Sequence, residues 1–159
     1  CEALWTRGLK FELHLIGLAQ QQTGRAALEK IRALQSAKYP LRYDGPVGDD
    51  ALNAAYARCA FTVYPSFYEG FGLPVLESLT HGKPCICSAN GALGESARGG
   101  GCVTLDRVDG PAIATALERI LTTPALRDTL AAEARARNFR TWPDYARDLA
   151  AWMRTLASR

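Results

Sequence analysis

The chain has 159 residues, 48% of them hydrophobic, which is enough for one domain with a substantial core. With 19 Lys and Arg against 16 Asp and Glu, the net charge of +3 and the lack of any basic run exclude an extended nucleic-acid surface. No apolar stretch nears the length of a membrane span, no secretory signal is read, and 5 cysteines without framework spacing exclude a disulfide scaffold.

Residues 1–9 read as the tail of a helix ending near Gly8, with Leu4 and Trp5 as its apolar side. A chain opening on Cys1 is expected to be a fragment or a processed piece. Phe11-Glu-Leu-His-Leu-Ile16 is a strand closed by Gly17, with His14 as a packed or edge-facing strand residue. Gln20 to Lys38 is a helix carrying Ala27, Leu28, Ile31 and Leu34 along one side. Leu41-Arg-Tyr43 is a short strand running into the turn Asp44-Gly-Pro-Val-Gly48. Asp49 or Asp50 is expected to cap the next helix, whose Leu52, Tyr56 and Cys59 share a face.

The stretch that follows organises the rest. Cys59-Ala-Phe-Thr-Val63 reads as a buried strand, Pro65 breaks it, and two glycines, Gly70 and Gly72, precede a helix that Pro74 can open at its first position. Gly82 ends that helix and Lys83-Pro-Cys-Ile-Cys87 starts another strand, completing a βαβ unit. The loop leaving the first strand then faces the ligand crevice. Free amides at the helix start, with about half a positive charge from the macrodipole, suit an anion such as a phosphate.

Beyond it, residues 88–95 form a loop feeding a short helix, Gly99-Gly-Gly101 a turn and Cys102-Val-Thr-Leu105 a last strand. Asp109 with Pro111 opens a helix carrying Ile113, Leu117, Ile120 and Leu121, and Thr123-Pro124 opens another carrying Leu126, Leu130 and Ala134. Thr141-x-x-Asp144 resembles a capping box with aspartate in place of glutamate. The stripe Trp142, Tyr145, Leu149, Trp152, Met153 and Leu156 has helical spacing and is expected to pack. Cys85 and Cys87 share a strand face, which allows a metal or redox pair. Small buried core residues are the better reading, because no CxxC exists and His14 and His81 lack ligand-like spacing. Reduced thiols fit a cytosolic compartment.

Strands alternating with helices, without repeat or linker, predict an α/β fold for residues 1–159: a doubly wound, mostly parallel, Rossmann-like sheet closed by C-terminal helices. A dehydrogenase-type domain is disfavoured, because no G-x-G-x-x-G follows the first strand.

Two carboxylates bracket the central turn, Glu69 before the glycines and Glu77 in what reads as the first helical turn. The run Pro65-Ser-Phe-Tyr-Glu69-Gly-Phe-Gly72-Leu-Pro-Val-Leu-Glu77 resembles the donor-site signature of retaining GT-B glycosyltransferases in glycosyltransferase family 4. Such proteins commonly read Pro-Ser-x-x-Glu-Gly-Phe-Gly-x-Pro-x-x-Glu, and every fixed position is present. The resemblance implies the donor-binding, C-terminal half of a two-domain enzyme that moves a sugar from a nucleotide-diphospho-sugar to a glycan or lipid-linked acceptor, as in polysaccharide biosynthesis. It assigns Glu69, as catalytic residue, together with Gly70, Phe71 and Gly72 to the sugar. Gly72 and the amides of Leu73 and Val75 fall to the diphosphate and Glu77 to the ribose, with Glu95 a secondary candidate. Plainer roles stay open beside these: a solvated loop carboxylate for Glu69, and a carboxylate complementing a helix start for Glu77 and Glu95.

The resemblance further implies that the first strand and basic loop of this half, and the acceptor-holding N-terminal domain, lie outside the chain. Residues 1–159 alone are then expected to be inactive or very weakly binding. No cofactor or metal is expected; Asp49-Asp50 are adjacent and do not form a DxD motif. Partners are the nucleotide-sugar and the acceptor, not nucleic acid, with a cytoplasmic location that includes the inner membrane face through the missing domain. The alternatives weighed are a nucleotide-sugar 2-epimerase, against which the Gly-Phe-Gly context argues, and a non-catalytic sugar-nucleotide sensor or scaffold.

Overall fold

The computed structural model describes residues 1–20 and 24–157. In chain order these form α1 (Glu2–Thr6), β1 (Leu13–Leu15), α2 (Arg25–Ser36), β2 (Leu41–Tyr43), α3 (Asp49–Arg58), β3 (Thr62–Tyr64) and α4 (Leu73–Thr80). They continue as β4 (Cys85–Ser88), α5 (Gly91–Ala97), β5 (Cys102–Leu105), α6 (Gly110–Thr122), α7 (Pro124–Ala136) and α8 (Trp142–Ala157). All strand pairs are parallel. β1 pairs with β2, and a separate sheet runs β3-β4-β5, with Tyr64 opposite Cys87 and Cys85 opposite Cys102.

The three-stranded sheet is covered on both faces, as the doubly wound expectation requires. Successive residues of β4 point to opposite sides. Ile86 joins Leu4, Leu117, Ile120 and Leu130, from α1, α6 and α7, on one face. Cys85 and Cys87 join Val75, Leu79, Leu93 and Ala134, from α4, α5 and α7, on the other. Burying each such aliphatic chain contributes about 1.5–3 kcal/mol. The buried-core reading of Cys85 and Cys87 holds, since both are fully buried free thiols. Cys85 and Cys102 are held above the ordinary thiol range by hydrogen bonding with Cys87 and then by burial.

Several boundaries differ from the sequence reading. β1 keeps only the middle of residues 11–16, and α2 begins at Arg25 rather than Gln20, with residues 21–23 outside the described set. On α2, Leu28, Ile31 and Leu34 are half-buried while Ala27 is exposed. Neither Asp49 nor Asp50 caps α3. Gly48 is the N-cap, and both carboxylates sit inside the first turn, where they complement the helix dipole. β3 starts at Thr62, because α3 runs to Arg58 and the amide of Cys59 still donates to Ala55.

At the C-terminal end, Thr141 and Asp144 form the reciprocal capping box. The Thr141 amide donates to Asp144 at 2.9 Å and the Asp144 amide donates to the Thr141 hydroxyl at 3.3 Å. The stripe that this box leads into does not pack. Trp142 is 84% exposed, Trp152 58% and Met153 57%. Helical spacing specifies that one face is apolar, not that another element covers it.

Candidate functional site: the turn between β3 and α4

The start of α4 is set by Gly72. It is the N-cap, with φ +79°, a left-handed conformation that side chains disfavour. A Cβ there would lie 2.6 Å from Leu93 Cδ2, so α5 closes directly over the turn. Leu73 is the first helical residue and Pro74 the second, one position later than the sequence suggested. The Val75 amide already donates to the Gly72 carbonyl at 3.0 Å, and proline has no N–H. Leu73 therefore carries an amide at this helix start with no acceptor among the described residues.

The other end of α4 is fixed as firmly. Lys83 N–H donates to Ser78 and Gly82 N–H to Leu79, with Gly82 at φ +65°, the pattern of a Schellman stop. Between the ends, fully buried Ser78 links α4 to β3 and to the turn that follows α4. The Thr62 hydroxyl of β3 lies 2.6 Å from the Ser78 hydroxyl, which donates to the Lys83 carbonyl at 3.0 Å. Since Ser78 spends its one proton on Lys83, Thr62 is the donor of the first bond. Lys83 Nζ in turn donates to Ala57 and Cys59 carbonyls at 3.0 and 2.9 Å, closing the C-terminal end of α3. Sequence reasoning gave Ser78 no role and read Lys83 only as the start of the next strand, which begins at Cys85. The buried polar residue on an otherwise apolar helix face was the available signal.

The two bracketing glutamates take different supports. Tyr64, the last residue of β3, donates its hydroxyl to Glu69 Oε1 at 2.7 Å. Tyr64 and then Ser66 hold the Glu69 carboxyl below the ordinary carboxylate range. Burial first, and the Glu69 bond second, push the Tyr64 phenol up to about 12, so it stays a neutral donor. Tyr56 of α3 donates to Glu77 Oε2 at 3.0 Å while its ring stacks on His81 at 4.7 Å. Glu77 is the fifth residue of α4 and so lies beyond the first turn, which corrects the sequence placement and weakens a pure dipole role. Glu95 likewise falls in the second turn of α5 and is exposed; Leu93 is the α5 residue that meets the turn. Gly70 and Phe71 lie on the exposed loop, and Phe67, Tyr68, Phe71 and Leu73 leave large apolar side chains uncovered around it.

A hollow of about 590 Å³ lies elsewhere, lined by Trp5, Leu9, Phe11, Tyr39 and Pro40 among others. Glu12 and Pro40, immediately before β1 and β2, place it at the amino ends of those strands, away from the carboxyl ends where α/β sheets bind ligands. Among the described residues, no group of three or more His, Cys, Asp or Glu is placed to hold a metal ion. Among the same residues, no helix is long and apolar enough to cross a membrane.

Residues 2–123, more than half of the chain and including the whole of this turn, match the family described as Glycosyl transferases group 1. The chain belongs to that family. It is 54% identical over 48 residues to the O-antigen chain mannosyltransferase B of Escherichia coli, covering 30% of this chain and 13% of that protein. It is 31% identical over 121 residues to the D-inositol 3-phosphate glycosyltransferase of Streptomyces griseus, covering 76% of this chain and 25% of the relative. The chain thus spans a quarter or less of these curated relatives. Among solved structures, the sucrose-phosphate synthase of Thermosynechococcus elongatus superposes with a TM-score of 0.77 at 27% identity, over 98% of this chain and 41% of that one. The GT-B glycosyltransferase recognition and the α/β fold class read from the sequence both stand.

Proposed function

We propose that this domain binds the donor of a retaining sugar transfer, a nucleotide-diphospho-sugar, and works within a larger enzyme that carries the sugar to a glycan or lipid-linked acceptor. The observation that carries this reading is the turn itself: a left-handed Gly72 opens α4, and one ionisable carboxylate stands on each side of the opening. A linear donor, running base, ribose, diphosphate, sugar, matches that order, with Glu77 on the ribose, the helix start on the diphosphate and Glu69 on the sugar. Leu73 is the first amide for the phosphates, and Val75 serves only as a donor shared with Gly72. Gly70, Phe71 and Gly72 complete the sugar end.

As the anomeric bond breaks, negative charge grows on the leaving phosphate. A helix start preorganised by the Gly72 conformation stabilises that charge without reorganising. Glu69 accepts sugar hydroxyls and holds a negative charge near the ring as it becomes cationic. Glu95 keeps a secondary role at the rim. The mannosyltransferase and glycosyltransferase relatives support sugar transfer, and the O-antigen relative supports a polysaccharide acceptor. The reading assigns no metal and no cofactor, and a cytoplasmic site of action, at the inner membrane face where the acceptor is lipid-linked. The same reading assigns a further strand with a basic loop and a separate acceptor domain to the larger enzyme.

Calorimetric titration of the full-length protein with ADP, GDP and UDP, with and without chelator, tests this. One nucleotide should bind with the same affinity in both conditions, and Glu77→Gln should weaken it by roughly ten- to a hundred-fold. Loss of binding on chelation would overturn the metal-free assignment, and indifference to Glu77→Gln would overturn the ribose assignment.

A further inference from the structure

Each of the two bracketing carboxylates is held by one phenol that comes from a different element. Glu69 lies on the loop of residues 65–72, whose Phe67, Tyr68 and Phe71 are exposed, so little of the loop is packed. Its firm tie to the scaffold is Tyr64, half-buried, opposite Cys87 in the sheet and packed against the α4–α5 side of the core. Glu77 is on α4 and exposed, and its tie is Tyr56 of α3, whose ring is fixed in turn by stacking on His81 just past the end of α4.

We propose that Tyr64 and Tyr56 are positioning residues, Tyr64 aiming Glu69 at the sugar and Tyr56 aiming Glu77 at the nucleotide. The inference rests on the division of labour between the two glutamates given above. A phenol suits the task because it donates one hydrogen bond and carries no charge. An ionised carboxylate has about four lone-pair sites on its two oxygens, so one bond from tyrosine leaves capacity for ligand hydroxyls. A lysine in the same place would neutralise the charge that the site uses. The geometry also separates the two supports: Tyr64 is built into the sheet and Tyr56 into the α3–α4 contact, so each can be removed without the other.

The test is a comparison of Tyr64→Phe, Tyr56→Phe, Glu69→Gln and Glu77→Gln in the full-length protein. The ligand is whichever of ADP, GDP and UDP binds tightest, and the donor is its mannose or glucose ester. Tyr64→Phe should lower kcat by roughly ten-fold while KM for the donor and the nucleotide Kd stay within about two-fold. Tyr56→Phe should do the reverse, raising the nucleotide Kd and the donor KM by roughly ten-fold with kcat little changed. Each phenylalanine variant should add little when combined with the glutamine variant of its own partner, and add fully when combined with the other. Both phenylalanine variants keep the ring and its packing, so thermal midpoints report whether the fold is intact. If the glutamine variants show the split and the phenylalanine variants are silent, the positioning inference fails and the site assignment stands. If the two phenylalanine variants lose kcat and affinity together, in proportion to lost stability, their role is structural and the inference fails. If both glutamine variants are silent, the site assignment fails and takes this inference with it.

Discussion

Gly72→Ala is the substitution whose cost can be worked most fully from the structure. The first part is backbone: an alanine held at φ +79° pays about 1–2 kcal/mol relative to a right-handed conformation. The second is steric. The new Cβ would stand 2.6 Å from Leu93 Cδ2, inside any ordinary contact, and Leu93 is almost fully buried against α4, so relief requires repacking at about 1–3 kcal/mol. The sum is about 2–5 kcal/mol in the full-length protein, read as a shift of the urea midpoint at constant m-value. A double-mutant cycle separates the parts. In a Leu93→Ala background the steric part disappears, and Gly72→Ala should then cost only about 1–2 kcal/mol. Equal costs in the two backgrounds would refute the claim that α5 closes on the turn. A cost below about 0.5 kcal/mol would refute the backbone argument as well. Because the same residue sets the direction of the Leu73 amide, nucleotide affinity should fall even where the protein remains folded.

Other expectations follow from the same contacts. Ser78→Ala leaves the half-buried Lys83 carbonyl and Thr62 hydroxyl without their Ser78 partner and should cost about 1–3 kcal/mol in urea unfolding, and less in a Thr62→Val background, where only the carbonyl loses a partner. Thr141→Ala should remove about 0.5–2 kcal/mol of α8 stability, seen as faster amide exchange in residues 144–146 with exchange in β4 unchanged. Asp44 is held below its usual range first by the Arg42 guanidinium and then by His14. A carboxylate lowered on folding adds stability above its unfolded pKa, near 4, and gives it up as pH falls through the folded value. Thermal midpoints measured from pH 6 down to pH 2 should therefore drop less steeply in Asp44→Asn than in the parent; an unchanged slope would contradict the Arg42 and His14 contacts.

How much of this was legible in the sequence depends on the range of the interaction that decides each feature. β2 and β5 were bounded correctly at both ends because β-formers there are flanked by turn residues, and Asp109 was identified as the opener of α6 because a cap acts within three residues. The same local logic failed at Asp49 and Asp50: acidic residues favour both the cap and the first turn, and the backbone chose Gly48 as the cap. Placing Pro74 at the first helical position pushed Glu77 into the first turn on paper, whereas Leu73 starts the helix. The Glu-x7-Glu pattern was readable as a motif, but the Tyr64 and Tyr56 bonds were not. They depend on β3 ending beside its own loop and on α3 lying beside α4. The α8 stripe shows the opposite failure, a local pattern with a clear face whose covering element the pattern does not specify.

The central claim is an order of contacts along one turn, and a crystal structure of the full-length protein with a bound, non-transferable nucleotide-diphospho-sugar tests it most directly. The account predicts the diphosphate within hydrogen-bond distance of the Leu73 amide, a ribose hydroxyl on Glu77 and a sugar hydroxyl on Glu69, with the Tyr56 and Tyr64 bonds retained. A diphosphate bound away from the start of α4, or the sugar and ribose in the reverse order, would contradict it.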